Sequence, residues 1–172
     1  MRVSTRYADH HEPSRECKGL NIKRIDAYAF AHMGKEAQGT IPLVRLTRAV
    51  DGLPEQPQGD AGLVTWSVRG EMGKSGLLMG RPLLHIHVQA NPVLVCQRCN
   101  EPFVYPIDSE VLLQLVKSEA DLDDDVSYAD PSSEDDEGEE GNGFVSNQPE
   151  KVVGSHHFDL LAQIEDELIL SV

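Results

Sequence analysis

Leu84, Ile86, Val88 and Ala90 alternate with His85, His87 and Gln89 without a break. A repeat of two puts the first set on one face of an extended chain and the second on the other, the signature of a half-buried strand. An earlier run behaves alike: Val64, Trp66 and Val68 alternate with Leu63, Thr65 and Ser67 and stop at Gly70. The connection Glu71-Met72-Gly73-Lys74-Ser75-Gly76 is short and rich in glycine, so the strand over residues 82–90 folds back antiparallel on the Trp66 strand. Its Gly-Lys-Ser lacks the spacing and the helix of a phosphate loop. Every other segment has to attach to this hairpin.

Before it, Ile22, Ile25, Ala29 and Met33 recur at helical spacing within residues 21–35, with Ala27, Tyr28 and Phe30 widening the face. Asp26 equally suits the cap of a shorter helix beginning at Ala27. Residues 40–46 read as a short strand burying Ile41, Leu43 and Val44, and Pro42, lacking a ladder donor, favours an edge or a first pairing position. Residues 51–59 are loop by composition. After residue 102 the pattern supports one bent strand or two short ones, with Val111, Leu113 and Leu115 alternating against Glu110, Leu112 and Gln114. Residues 152–154 suit a turn or an edge piece. The chain then enters a helix with Asp159 as N-cap and a stripe of Leu161, Ile164 and Leu168, flanked by Leu160 and Leu170. Glu165, Asp166 and Glu167 point in three directions on that helix and are expected to face water or a basic partner, which argues against a two-metal site.

Charge divides the chain. Up to Val95 twelve Lys or Arg stand against nine Asp or Glu; from Cys96 onward three stand against twenty, and the total is -14. Twelve carboxylates and no basic residue fall within residues 119–140, a density that repels itself and has little to bury. Residues 119–143 are therefore expected to be a disordered acidic insertion in one domain over residues 21–172, behind a flexible lead-in of residues 1–20. Asp121, Asp123 and Asp125 alternate as in a calcium loop, yet Val126 stands where that loop needs glycine. The first half keeps cations that can meet a phosphate backbone, among them Arg45, Arg48, Arg69, Lys74 and Arg81, and Arg98 follows in the second. No run of eighteen apolar residues and no apolar leader is present, and three cysteines are too few for a disulfide scaffold, so a cytoplasmic chain without membrane contact is the expectation.

The strand at residues 84–90 leads through Pro92 and Val93-Leu94-Val95 into Cys96-Gln97-Arg98-Cys99. Two residues between the thiols let one turn point both sulfurs at a zinc ion, or let them close as a redox pair. Cys17 stands alone upstream, so Cys96 and Cys99 are half of a metal site, and two chains can place four thiolates around one ion. Redox work needs an exposed sulfur of depressed pKa. Arg98 favours that, but the helix start of thioredoxin-like sites is missing. His85 and His87 share a strand face and can meet one metal, although no carboxylate or cysteine is fixed beside them by sequence.

Together these features resemble the YceD family, the large ribosomal RNA subunit accumulation proteins. The resemblance rests on Gly39-Thr40-Ile41-Pro42-Leu43, the Trp66 strand ending at Gly70, the strand to Ala90, Cys96-Gln97-Arg98-Cys99 with Pro102, and the acidic tract before Asp159-Leu160-Leu161 and Glu165-Asp166-Glu167-Leu168. It spans residues 20–172. It implies an α+β fold, with a mainly antiparallel sheet or a partly closed small barrel and a helix near each end. The implied role is a cytoplasmic, non-enzymatic ribosome-biogenesis factor that supports accumulation or processing of large-subunit ribosomal RNA. It would bind that RNA, a large-subunit ribosomal protein, or both, without a cofactor unless the cysteine pair takes zinc. Two other readings follow from the residues: an adaptor holding a basic ribosomal protein through the acidic tract, and a zinc or thiol redox protein using Cys96 and Cys99.

Overall fold

The two alternating runs form the centre of the molecule. In the computed structural model, which describes residues 20–123 and 149–172, strand β2 (Leu63–Met72) and strand β3 (Pro82–Ala90) pair antiparallel, with Trp66 opposite Val88 and Val68 opposite Ile86. Val64, Trp66, Val68, Leu84, Ile86, Val88 and Ala90 are all buried on one face. Strand β1 (Glu36–Pro42) adds antiparallel to β2 as an edge, and Pro42 sits at its last position, where no further ladder donor is required.

Beyond β3 the chain first makes a separate hairpin, β4 (Val93–Val95) with β5 (Pro102–Val104). It then returns as β6 (Ile107–Val116) against β3. The segment after residue 102 is thus two strands in two different sheets. Strand β7 (Glu150–Val153) closes the far edge parallel to β6, so the order is β1-β2-β3-β6-β7 in an open, mixed five-stranded sheet. The sheet does not curl into the partly closed barrel that was the alternative expectation, since β1 and β7 lie at opposite edges.

Helix α1 (Ala27–Met33) packs on β2 and β3, and helix α2 (Leu160–Leu170) on β3 and β6. The fold is α+β in two layers. Helix α1 takes the shorter of its two expected spans: the Asp26 carboxylate accepts from the Ala29 N–H at 3.0 Å, and Gly34 in the left-handed region ends it. Its buried face is Ala27, Phe30 and Ala31, whereas Met33 is exposed. Ile25 instead enters the core from outside the helix, exchanging backbone bonds with Phe158 (2.9 and 2.8 Å) that tie the entries of both helices together.

Where helix α1 crosses β2, Gly70 is required: a Cβ there would lie 2.1 Å from the Phe30 carbonyl oxygen. Val44 corrects another expectation. The chain leaves extended geometry after Pro42 and makes a 3-10 turn, Leu43–Arg45, which buries Leu43 and exposes Val44. Residues 1–19, including Cys17, lie outside the described residues, as do residues 124–148 of the acidic tract. The start of that tract, Glu119–Leu122, is a 3-10 turn held by reciprocal bonds between Ser118 and Asp121, so the expected insertion begins with ordered backbone. Among the described residues no helix is long and apolar enough to cross a membrane.

Candidate functional site

The β4–β5 hairpin stands apart from the main sheet. Its strands pair Val93 with Val104, Leu94 with Phe103 and Val95 with Pro102, and the six-residue connection is the cysteine turn plus Asn100 and Glu101. The Cys96 N–H bonds the Glu101 carbonyl at 2.9 Å, and the Asn100 N–H bonds the Cys96 carbonyl at 2.8 Å. Asn100 takes a φ of 61°, a left-handed position that asparagine tolerates better than most residues. Backbone N–H groups of Cys99 and Arg98, with the Cys99 side chain, bond the Cys96 sulfur and lower its pKa by favouring the thiolate.

Gln56, buried in the preceding loop, fixes the base of this hairpin. Its amide donates to the Val93 carbonyl at 2.9 Å and accepts from the Val93 N–H at 2.8 Å, copying one step of a strand ladder with a side chain. Tyr105 N–H bonds the Pro92 carbonyl on the other side. Between them Phe103 and Tyr105 meet edge to face with ring centroids 6.5 Å apart, and both remain exposed. Sequence reading did not single out Gln56, Phe103 or Tyr105 as site residues. An alternation broken by Pro102 and Pro106 was the available signal for the aromatic pair.

The six basic residues expected to meet a partner do not converge. Lys74 and Arg81 lie in the β2–β3 connection, whereas Arg45 and Arg98 belong to loops at the opposite end of those strands. Arg48 is engaged: its guanidinium bonds Glu165 at 3.1 Å and Asp166 at 2.8 Å, and these carboxylates hold its pKa above the ordinary value. Glu165 itself is buried, contrary to the expectation that it faces water, because it also accepts from the N–H groups of Arg48 (2.6 Å) and Ala49 (3.2 Å). Glu167 accepts from the Ser109 hydroxyl on β6. The three consecutive carboxylates are thus all used to dock α2.

Arg69 lines an open basin of about 650 Å³ on the uncovered sheet face, with Glu36, Gln38, His85, His87 and Glu110. The two histidines do not meet at a common point. His85 pairs with Glu71 and His87 with Asp108, each at 2.5 Å. These bonds hold the Glu71 and Asp108 carboxyls below their ordinary values. Glu36 and Glu110 in the lining, with Glu71 and Asp108 bonded to its two histidines, outnumber Arg69, which makes the basin a poor seat for phosphate. Trp66 acts in the core, its ring lying over Gly39 on the neighbouring strand. Cys96 is half-buried, while Gln97, Arg98, Cys99 and Pro102 are exposed.

Compared with known families, residues 84–172 match the model described as Large ribosomal RNA subunit accumulation protein YceD. That span is just over half of the chain and runs from β3 through the cysteine hairpin to the end of α2. The chain belongs to the YceD family. Membership assigns it to large ribosomal RNA subunit accumulation and hence to ribosome biogenesis. The matched region begins within β3, so the Gly39 to Leu43 stretch and the Trp66 strand lie outside it, although both build the same YceD sheet. Neither the curated proteins nor the solved structures contain a match to this chain.

Proposed function

We propose that this YceD protein is a non-enzymatic, cytoplasmic assembly factor that binds large-subunit ribosomal RNA in a precursor particle and protects it until it is processed. The observation that carries the reading is the family match, whose span contains the hairpin. Local chemistry supports RNA as the ligand at that end of the sheet. Arg98 supplies a cation to a phosphate, and Phe103 and Tyr105 offer exposed rings on which unpaired bases stack. Arg45 reinforces the same end, whereas Lys74 and Arg81 extend contact from the other. Arg69 and Arg48 contribute less, since carboxylates surround the first and bind the second.

Depletion of the protein combined with profiling of subunit precursors tests the role, and pull-down of the tagged chain tests the contact. Accumulated or degraded large-subunit precursors with co-purified large-subunit RNA support it. Unchanged precursors and no enrichment of large-subunit RNA refute it. The charge of residues 119–140 favours one second reading, an adaptor that holds a basic ribosomal protein. If so, removing residues 119–141 abolishes association, and added salt weakens it.

A further inference from the structure

We infer that the loop joining β2 to β3 is an apolar wedge: Leu77 and Met79 enter between unpaired RNA bases while Lys74 and Arg81 hold the flanking phosphates. The backbone prepares it. Past the last ladder pair, Met72 with Pro82, the Gly73 N–H bonds the Arg81 carbonyl and the Gly80 N–H bonds the Gly73 carbonyl, both at 2.8 Å. At the tip lies a 3-10 turn, Gly76–Leu78, with the Met79 N–H on the Gly76 carbonyl at 3.2 Å and the Arg81 N–H on the Leu78 carbonyl at 2.9 Å. Leu78, half-buried, folds back over the neck, where a Cβ on Gly73 would lie 1.8 Å from the Leu78 carbonyl oxygen. Only glycine fits at that crossing. Its neighbours Leu77 and Met79 turn outward instead and are 79% and 70% exposed. Four backbone bonds thus hold two large apolar side chains out in water.

Charge identifies the partner. Residues 72–82 carry Lys74 and Arg81 and no carboxylate, in a chain whose net charge is -14. Both cations are exposed, and among the described residues neither forms a salt bridge. Because Gly73 and Arg81 are bonded across the neck, the two cations stand one on each arm of it, below the apolar tip. An apolar tip between two cations complements a polyanion whose phosphates flank apolar base faces. Leucine and methionine are among the side chains that open a base step from within, and the cost of unstacking is least where the bases are already unpaired. A pocket in a protein would use the tip and leave the cations idle. The inference rests on the RNA reading and adds to it a contact at the end of the sheet away from the cysteine hairpin.

Filter binding of the purified full chain to deproteinised large-subunit ribosomal RNA, titrated with salt, tests it with two double variants. Leu77→Ser with Met79→Ser removes the wedge and keeps the cations; Lys74→Gln with Arg81→Gln does the reverse. The first should weaken binding several-fold at an unchanged salt slope. The second should weaken it and also flatten the dependence of log Kd on log salt, by about 0.7 for each cation removed. Melting temperatures of both should match the parent, since all four side chains are exposed. Ultraviolet crosslinking read by mass spectrometry should place a nucleotide on the peptide carrying Leu77 and Met79, and the serine variant should lose it. Equal RNA binding by the parent and the serine variant overturns the wedge and leaves the RNA reading standing. A parent that binds no large-subunit RNA overturns both. A serine variant that keeps its RNA but loses a co-purified protein assigns the loop to a protein partner, which also overturns the inference.

Discussion

Glu165 is the side chain whose role depends most on distant sequence. Its carboxylate receives two backbone N–H groups and the Arg48 guanidinium, so it fastens the loop after β1 to helix α2 across more than a hundred residues of chain. Glu165→Ala leaves those backbone donors facing a vacated, largely buried position and should cost about 1–3 kcal/mol in urea unfolding. Arg48→Ala should cost clearly less, because that side chain is 53% exposed and Glu165 keeps its backbone partners. The reverse ranking would mean that the ion pair dominates the backbone bonds. Three acidic residues in a row on a helix gave no hint of this, because the groups they bind come from the loop at residues 43–50 and from β6. The histidine–carboxylate pairs make a pH prediction. Glu71 and Asp108 have folded pKa values below their unfolded ones, so their contribution is complete above the ordinary carboxylate range and is lost as pH falls through the folded values. Melting temperature should therefore fall on acidification in that window, and less steeply in Glu71→Gln with Asp108→Asn. Equal pH slopes in parent and double variant would remove the pairs from the account.

At the scale of elements, alternation made β2, β3 and β6 legible, since a period of two survives wherever one face is buried and the other is wet. Helix α2 was legible from its cap, since the Asp159 carboxylate accepts from the Ala162 N–H at 2.9 Å, and in part from its stripe. Ile164 and Leu168 are buried as expected, but the third buried apolar residue is Leu160, Leu161 being only half-buried, and Leu170 is exposed. Short elements were harder. Strand β7 pairs parallel across a long connection, a contact that no local pattern encodes. The extent of β1 was displaced because Pro42 ends the strand that was expected to surround it. Two substitutions test how the elements meet. Gly70→Ala inserts a methyl where helix α1 crosses the sheet and should destabilise by at least about 2 kcal/mol, as overpacking against backbone does. Gln56→Ala should act differently: it frees the base of the cysteine hairpin while the main core stays packed. Hydrogen exchange should quicken at Val93–Val95 and Pro102–Val104 far more than across β2 and β3. Uniform quickening across the sheet would show that the hairpin is part of the same cooperative unit.

For the whole molecule, the placement of charge bears on which surface the proposed RNA contact can use. The open sheet face carries more carboxylates than cations, and helices cover the other face. The proposed RNA contact falls instead on the loop after β1 and the hairpin after β3, which carry Arg45, Arg98, Phe103 and Tyr105, the part of the candidate site that sequence only half disclosed. Cations and the cysteine pair were visible as residue types; their convergence or separation depended on strand order. The most direct measurement is crosslinking of the tagged protein in cells, with sequencing of bound RNA, for the parent chain and for Arg98→Ala combined with Phe103→Ala. The account predicts large-subunit ribosomal RNA, including precursor sequence, crosslinked to the parent and several-fold depleted in the variant at equal abundance. Large-subunit RNA recovered equally from both, or absent from the parent, would contradict it.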